Sequence, residues 1–237
     1  MTTDRRLYDM DLGRRDHTRW LGSSGRYSTH GFAYSDIPNQ LLRINSLEGS
    51  LAFSGAVLTG VTDVSPVAGT VNVTGSPVYT ATNAQLNGAP SVHVNPGSSV
   101  IAPNVNRADA VFFAVVVDYA GGTTQTMFDG QSVAAGRVTA SLRTDGIFTH
   151  RGLLSTVPPT GRNRMLMSAD GSTATLLNGS VAGTLTAGAG SGLGLRLLGN
   201  YSGGATGIKL TFFMACSSVP SAPLLAALEA KLITDFG

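Results

Sequence analysis

The sequence of 237 residues predicts an all-β fold: an antiparallel two-sheet jelly-roll sandwich with an irregular N-terminal arm and a short C-terminal helix. The first observation is a series of short runs rich in β-branched and aromatic residues, which favour strands. The second is that Asn-Gly and Asp-Gly pairs separate these runs, because such residues adopt the positive φ of tight turns readily. The third is that a helical apolar period occurs only after residue 221. Many strands followed by one helix are typical of a sandwich.

Residues 1–45 are predicted to form an arm that docks on a partner. Residues 1–30 hold six arginines, four aspartates and the single tryptophan, without a sustained strand or helix period. Such a segment buries too little apolar area to fold alone, so it is either a disordered tail or an arm that becomes ordered on a partner. The aromatic content favours the arm. Because arginine and tryptophan concentrate in binding hot spots, the candidate partner-binding residues are Arg5, Arg6, Arg14, Arg15 and Trp20.

Residues 46–237 predict one domain of roughly ten to twelve strands, as in sandwiches and jelly rolls. Residues 111–119 form the strongest strand, and their unbroken apolar run is typical of a central strand covered on both faces. The predicted tight turns are Asp129-Gly130, Asp145-Gly146, Asp170-Gly171 and Asn178-Gly179.

The closing helix is predicted to begin at Ser221, a suitable N-cap, with Pro223 in its first turn. Its apolar face carries Leu224, Leu225, Leu228 and Leu232, spaced as a helix requires. We expect this face to cover one end of the sandwich.

Charged residues make up 13% of the chain, about half the usual share. A surface of Ser, Thr, Asn and Gly suits a particle component, and it is equally common in plain β-rich proteins. Two lysines stand against fourteen arginines; this preference indicates carboxylate or phosphate recognition or a GC-rich genome, and the second explanation is favoured. The net charge of +2 is too small to predict nucleic-acid binding. No apolar run is long enough for a membrane span, and none follows the N-terminus as in a secretory signal.

Several segments in order resemble concanavalin A-like, laminin-G-like jelly-roll domains. They are residues 77–79, 86–92, 111–119, 176–179, 195–199 and 222–237. The chain departs from the family at residues 94–97, Val-Asn-Pro-Gly, where Phe-Asp-Gly is usual. Jelly rolls of this kind with a unique N-terminal segment look like those of tailed-phage virion proteins. The resemblance therefore implies a virion location after assembly in the host cytoplasm, capsid or tail subunits as partners, and a homo-oligomer.

The sequence offers little for catalysis. A glycosidase needs two facing carboxylates, and the only glutamates are Glu48 and Glu229, far apart in the chain. The lone Cys216 lies in an apolar strand and is interpreted as a buried, inert thiol. The histidines lack metal-ligand spacing. Calcium could bind through Asp118, Asp129 or loop carbonyls, but the spacing is not diagnostic. We therefore expect no enzyme and no cofactor.

These observations predict a non-enzymatic virion structural protein, a capsid decoration or head-fibre component docked through its arm. The alternative is a tail-associated carbohydrate-binding module that recognises a host surface glycan. Its candidate glycan-binding residues are Tyr119, Asn200 and Tyr201, which adjoin Gly-Gly loops. The simpler explanation of these loops is that the glycines only make turns.

Overall fold

The structure is a computed structural model that describes residues 31–106, 109–130, 139–143, 146–149, 152–153, 160–170, 173–178, 185–186, 193–199 and 207–237. Within these ranges the chain forms seventeen strands, one α-helix and three short 3-10 helices. The strands are Gln40–Asn45 (β1), Leu51–Ser54 (β2), Val57–Val61 (β3), Asn72–Thr74 (β4), Val78–Thr80 (β5), Ser91–His93 (β6), Ser99–Asn106 (β7), Phe112–Tyr119 (β8), Gln125–Gly130 (β9), Thr139–Arg143 (β10), Gly146–Thr149 (β11), Gly152–Leu153 (β12), Gly161–Asp170 (β13), Thr173–Leu176 (β14), Leu185–Thr186 (β15), Leu193–Leu197 (β16) and Lys209–Cys216 (β17). The α-helix is Ala222–Phe236 (α1), and the 3-10 helices are Tyr34–Asp36, Ser46–Glu48 and Ala84–Leu86.

The strands lie in two antiparallel sheets, which confirms the predicted all-β sandwich. Over the described residues, the ten-stranded sheet has the order β15-β14-β13-β8-β17-β6-β5-β3-β2, with β1 also paired to β17. The seven-stranded sheet has the order β12-β11-β10-β9-β16-β7-β4. A core of side chains from both sheets fills the space between them.

Strand β8 is buried on both faces, as its unbroken apolar run predicts. Phe113, Val115 and Val117 lie in the core between the sheets. The alternate residues, among them Phe112 and Val116, belong to a second apolar cluster on the other side of the ten-stranded sheet. Successive side chains of a strand point to opposite faces of the sheet, so this one strand contributes to two cores.

Helix α1 forms the second cluster's outer wall. Its buried residues Ala227, Leu228, Leu232 and Phe236 pack on the ten-stranded sheet. The helix therefore covers a sheet face and not one end of the sandwich, which corrects the predicted position. Among the described residues, no helix has the length and apolarity that crossing a membrane would require.

Arginines from β13 hold the carboxyl end of α1. Arg162 Nη1 donates to the Phe236 carbonyl at 3.3 Å, and Arg164 Nη1 donates to the Gly237 carbonyl. Cationic groups stabilise this end of a helix because its last carbonyls carry partial negative charge. The Tyr34 hydroxyl adds a bond of 2.8 Å to the Asp235 carboxylate.

Residues 31–45, which the sequence assigned to the arm, are part of the folded domain. Phe32, Tyr34 and Ile37 are buried beside α1, and β1 pairs with β17. The sequence did not predict β1 as a buried strand because it contains a charged residue, Arg43. In the structure the Arg43 side chain is buried and donates to Gln40 Oε1 and to the Val64 carbonyl. The domain therefore begins before residue 45. The candidate partner-binding residues Arg5, Arg6, Arg14, Arg15 and Trp20 lie outside the described residues.

The Asp129-Gly130 pair does not form the predicted turn. Both residues end β9, where Asp129 pairs with Thr139 on one side and Arg196 on the other. Local turn preference yields here to pairing with two neighbouring strands. Two hairpins do occur where predicted, since β10 pairs with β11 and β13 pairs with β14. The turn residues Asp145, Gly171 and Gly179 lie outside the described residues.

Candidate functional site

The outward face of the seven-stranded sheet carries a row of side chains that crosses five neighbouring strands. In register, Thr139 is opposite Asp129, Asp129 opposite Arg196, Arg196 opposite Ile101, and Ile101 opposite Asn72. Directly opposed residues of antiparallel strands share one face. The flanking residues of the same strands, such as Ala140 and Leu195, lie in the core between the sheets. The row therefore points away from the core, and we call these five residues the outward row.

Further hydroxyl side chains lie beside the outward row on the same face. Ser141 Oγ donates to Thr126 Oγ1 at 3.2 Å, and the hydroxyls of Thr74 and Ser99 are 2.6 Å apart. Arg143 follows Leu142, a core residue, and so projects to this face by strand alternation. In the described part of the face, the polar groups are hydroxyls, one amide, one carboxylate and two guanidinium groups.

Exposure increases along the outward row from β9 and β10 towards β4. Asp129 is 0% exposed, and Thr139 Oγ1 donates to its Oδ1 at 2.5 Å. Arg196 and Ile101 are half-buried, and Asn72 is exposed. Hydroxyl–carboxylate bonds are charge-assisted and strong, so the Asp129–Thr139 pair fixes the buried end. A ligand can reach the other end, formed by Arg196, Ile101 and Asn72.

Arg196 is the row's unsatisfied donor. Its Nε atom is buried and has no hydrogen-bond partner in the described part of the chain. No carboxylate of a described residue lies within ion-pair distance of its guanidinium group, although Asp129 is opposite in register. A buried donor without an acceptor costs about 1–3 kcal/mol and more when charged. Such groups call for a specific explanation, and a bound ligand is one.

The predicted glycan-binding residue Tyr119 is not exposed. It ends β8 on the same face as Val115 and Val117, so its ring lies between the sheets and is 2% exposed. Its hydroxyl donates to the Thr123 carbonyl at 3.2 Å. Tyr119 is thus a core residue, and no sugar can stack on its ring. The other two candidates, Asn200 and Tyr201, lie outside the described residues.

The calcium candidates Asp118 and Asp129 do not share a site, because they lie on different sheets. Asp118 Oδ2 accepts a bond from Asn83 Nδ2 at 3.1 Å and lies 4.0 Å from Lys209 Nζ. Within the part of the chain that the structure describes, no group of three or more His, Cys, Asp or Glu side chains could hold a metal ion.

Cys216 lies at the end of β17 beneath α1, and burial raises the pKa of its thiol to about 12. Since the thiolate is the reactive form, we expect the native protein not to react with a thiol-specific disulfide reagent at mildly alkaline pH. In concentrated guanidinium chloride, one thiol per chain should react. Reaction of the native and the unfolded protein at similar rates would contradict the buried position.

Local sequence patterns could have indicated the outward face. Thr139, Ser141 and Arg143 alternate with Ala140 and Leu142, and Arg196 is flanked by Leu195 and Leu197. Polar residues at every second position predict a solvent-facing strand side. What these patterns cannot give is the register that places Arg196 between Asp129 and Ile101.

No protein-family model matches the chain, and no curated protein does. Solved structures of similar fold include domain 4 of AbnA, a GH43 extracellular arabinanase from Geobacillus stearothermophilus, in complex with arabinotriose. It has a TM-score of 0.52 and 12% identity, over 85% of this chain and 100% of that domain. A GH54 α-L-arabinofuranosidase has a TM-score of 0.53 and 13% identity, over 86% of this chain and 61% of that one. For Trypanosoma rangeli sialidase in complex with 2,3-difluorosialic acid the values are 0.50 and 13%, over 83% of this chain and 33% of that one.

These likenesses overturn the expectation that the chain is not an enzyme, because the fold it adopts occurs in glycoside hydrolases. At 12–13% identity the likeness establishes the fold, a two-sheet antiparallel β-sandwich, and extends no further. The chain spans a third of the sialidase and 61% of the arabinofuranosidase, and it corresponds in extent to the single arabinanase domain.

Proposed function

We propose that this chain is a carbohydrate-binding β-sandwich domain whose binding surface is the outward face of the seven-stranded sheet. The observation that carries the proposal is the outward row, which ends in Arg196, Ile101 and Asn72 on the accessible side. Two further facts support it. Domain 4 of the arabinanase, similar over its whole length, was solved with arabinotriose bound. The resemblance of the sequence to concanavalin A-like domains favours the same class of ligand.

The chemistry of the accessible end suits a sugar. A pyranose or furanose ring presents hydroxyls at its rim and C–H groups on its faces. The Asn72 amide can both donate and accept, and the Arg196 guanidinium donates only. Ile101, half-buried between these two polar side chains, supplies an apolar surface for ring C–H groups. Binding sites typically combine apolar lining with a few placed polar groups in this way.

The sequence predicts the glycan-binding site of the alternative function at the loop after Tyr119. The proposed site lies on the outward face of the seven-stranded sheet instead. The role in a tailed-phage particle, with docking on capsid or tail subunits now limited to the part of the arm before residue 31, stays a prediction. Carbohydrate binding is compatible with it, since particle proteins can carry a sugar-binding surface.

The test is a titration of the isotope-labelled chain with arabinotriose and a panel of neutral and acidic oligosaccharides, followed by nuclear magnetic resonance. We expect saturable shift changes at residues of β4, β7 and β16. Asn72→Ala should weaken binding about five-fold, as loss of roughly 1 kcal/mol from one hydrogen bond predicts. Thr59→Ala is the matched control, because Thr59 is also exposed but lies on β3 of the other sheet.

Two results would contradict the proposal. One is the absence of binding to every oligosaccharide of the panel by a chain that is demonstrably folded. The other is binding whose shift changes cluster at α1 and leave β4, β7 and β16 unaffected.

A further inference from the structure

We propose that the glycan bound by this face carries a carboxylate group, as a uronic acid residue does, and that Arg196 binds that carboxylate. This inference rests on the proposed carbohydrate-binding function and names its ligand class. The structural basis is the juxtaposition, in adjacent register positions, of an arginine whose buried Nε atom has no hydrogen-bond partner, a half-buried apolar residue and an exposed amide.

The guanidinium group of Arg196 is suited to this role by its geometry and by what surrounds it. Arginine donates two parallel hydrogen bonds to a carboxylate, and this fork gives both strength and orientation. The other described arginines with printed contacts are already engaged: Arg43 with Gln40 and Val64, Arg162 and Arg164 with the end of α1. The buried Nε atom of Arg196 has no hydrogen-bond partner among the described residues.

The charges of the face are compatible with an anion. Its described residues include the guanidinium groups of Arg143 and Arg196 and the carboxylate of Asp129. Asp129 is fully buried and accepts a hydrogen bond from Thr139, on the side of β9 away from Arg196. A ligand that approaches from the β7–β4 side therefore reaches Arg196 before Asp129, and an anionic group there satisfies the Nε donor that the protein leaves without an acceptor.

Ile101 and Asn72 determine what the carboxylate must be attached to. They continue the row from Arg196 towards the sheet edge, so a ligand anchored at Arg196 extends over an apolar side chain and then an amide. A small inorganic anion would use only the first position. A uronic acid residue within an oligosaccharide offers a carboxylate, a ring face and hydroxyls in one molecule.

The experiment compares three probes by isothermal titration calorimetry: a galacturonic acid trisaccharide, its methyl ester, and arabinotriose. The ester has the same ring and hydroxyls but no charge. We expect the acid to bind about ten-fold tighter than the ester, in line with a charge-assisted pair, and this preference to decrease as salt is raised. Because this comparison uses the unaltered chain, it does not depend on the folding of any variant.

Variants then assign the preference to Arg196. Arg196→Gln should reduce the roughly ten-fold difference between acid and ester to nearly none, because it lowers the affinity for the acid far more than the affinity for the ester. Arg196→Lys should keep part of the difference, because the charge remains but the fork is lost. Asn72→Ala should weaken acid and ester equally. Thermal denaturation of each variant verifies that it is folded.

The outcomes separate this inference from the proposed function. Equal affinity for acid and ester, or a preference that persists in Arg196→Gln, would overturn the acidic ligand and leave carbohydrate binding intact. If none of the three probes bound the folded chain, the acidic ligand would be rejected, and absence of binding to the whole oligosaccharide panel would reject the proposed function as well. Inorganic phosphate is titrated in the same way as a control anion, and binding as tight as that of the trisaccharide acid would also overturn the inference, since the sugar would then contribute nothing.

Discussion

Replacing Phe213 with alanine should lower the free energy of unfolding by about 3–5 kcal/mol, the range for a large aromatic removed from a core. Phe213 lies on β17 in the middle of the ten-stranded sheet and is fully buried. Its ring centroid is 5.4 Å from that of Phe128 on the other sheet and 6.3 Å from that of Phe113. The side chain thus joins the two sheets, and its loss leaves a cavity that both backbones hold open.

Phe53→Ala is the control, because it removes the same ring from an exposed position. Phe53 is 52% exposed and stacks on Tyr79 with ring centroids 4.0 Å apart. Its removal should cost about 1 kcal/mol, the worth of an aromatic pair plus partial burial. Phe213→Leu should fall between the two, since it retains much of the buried volume.

Equilibrium unfolding in urea measures all three variants, with the midpoint compared at an unchanged slope. If Phe213→Ala and Phe53→Ala lowered stability by similar amounts, the sandwich would not depend on the aromatic contact between its sheets. A slope that changes in Phe213→Ala alone would instead indicate that the two sheets no longer unfold together.

The central elements were predictable because their signals are local. An unbroken apolar run such as that of β8 has few alternatives to a doubly covered strand, and the leucines near Leu228 have a helical period. Strand β1 was not predictable. Its buried Arg43 donates to the Val64 carbonyl, a partner that only the folded chain brings near.

The candidate site shows the same division. That Arg196 projects opposite to Leu195 and Leu197 follows from strand alternation. That it lies between Asp129 and Ile101 depends on the register of three strands distant in sequence. The prediction of Tyr119 as a glycan-binding residue was wrong because it used the neighbouring Gly-Gly loop and not the strand alternation. The loop indicated that Tyr119 is exposed, whereas the alternation of β8 places its ring in the core.

Asp63→Ala should lower the free energy of unfolding by about 3 kcal/mol, because it leaves three backbone donors, two of them buried, without an acceptor. Asp63 Oδ1 accepts from the backbone N–H groups of Arg43 at 2.9 Å and Ser65 at 2.8 Å, and Oδ2 accepts from that of Gly69 at 2.7 Å. One buried carboxylate thus fixes the loop after β3 and attaches it to β1.

The matched control is Asp36→Ala, because Asp36 Oδ2 accepts from one backbone N–H group, that of Ala33, at 2.8 Å. Its loss should cost about 1 kcal/mol. The loss of stability for Asp63→Asn should lie between those of Asp63→Ala and Asp36→Ala. The asparagine amide keeps one oxygen acceptor, but its NH₂ group then faces a backbone N–H donor. Urea unfolding supplies the ranking. If Asp63→Ala were no more destabilising than Asp36→Ala, the prediction would be wrong, because water would then replace the Asp63 carboxylate as acceptor. The loop would in that case be attached to β1 mainly by the bond from the Val64 N–H group to the Arg43 carbonyl.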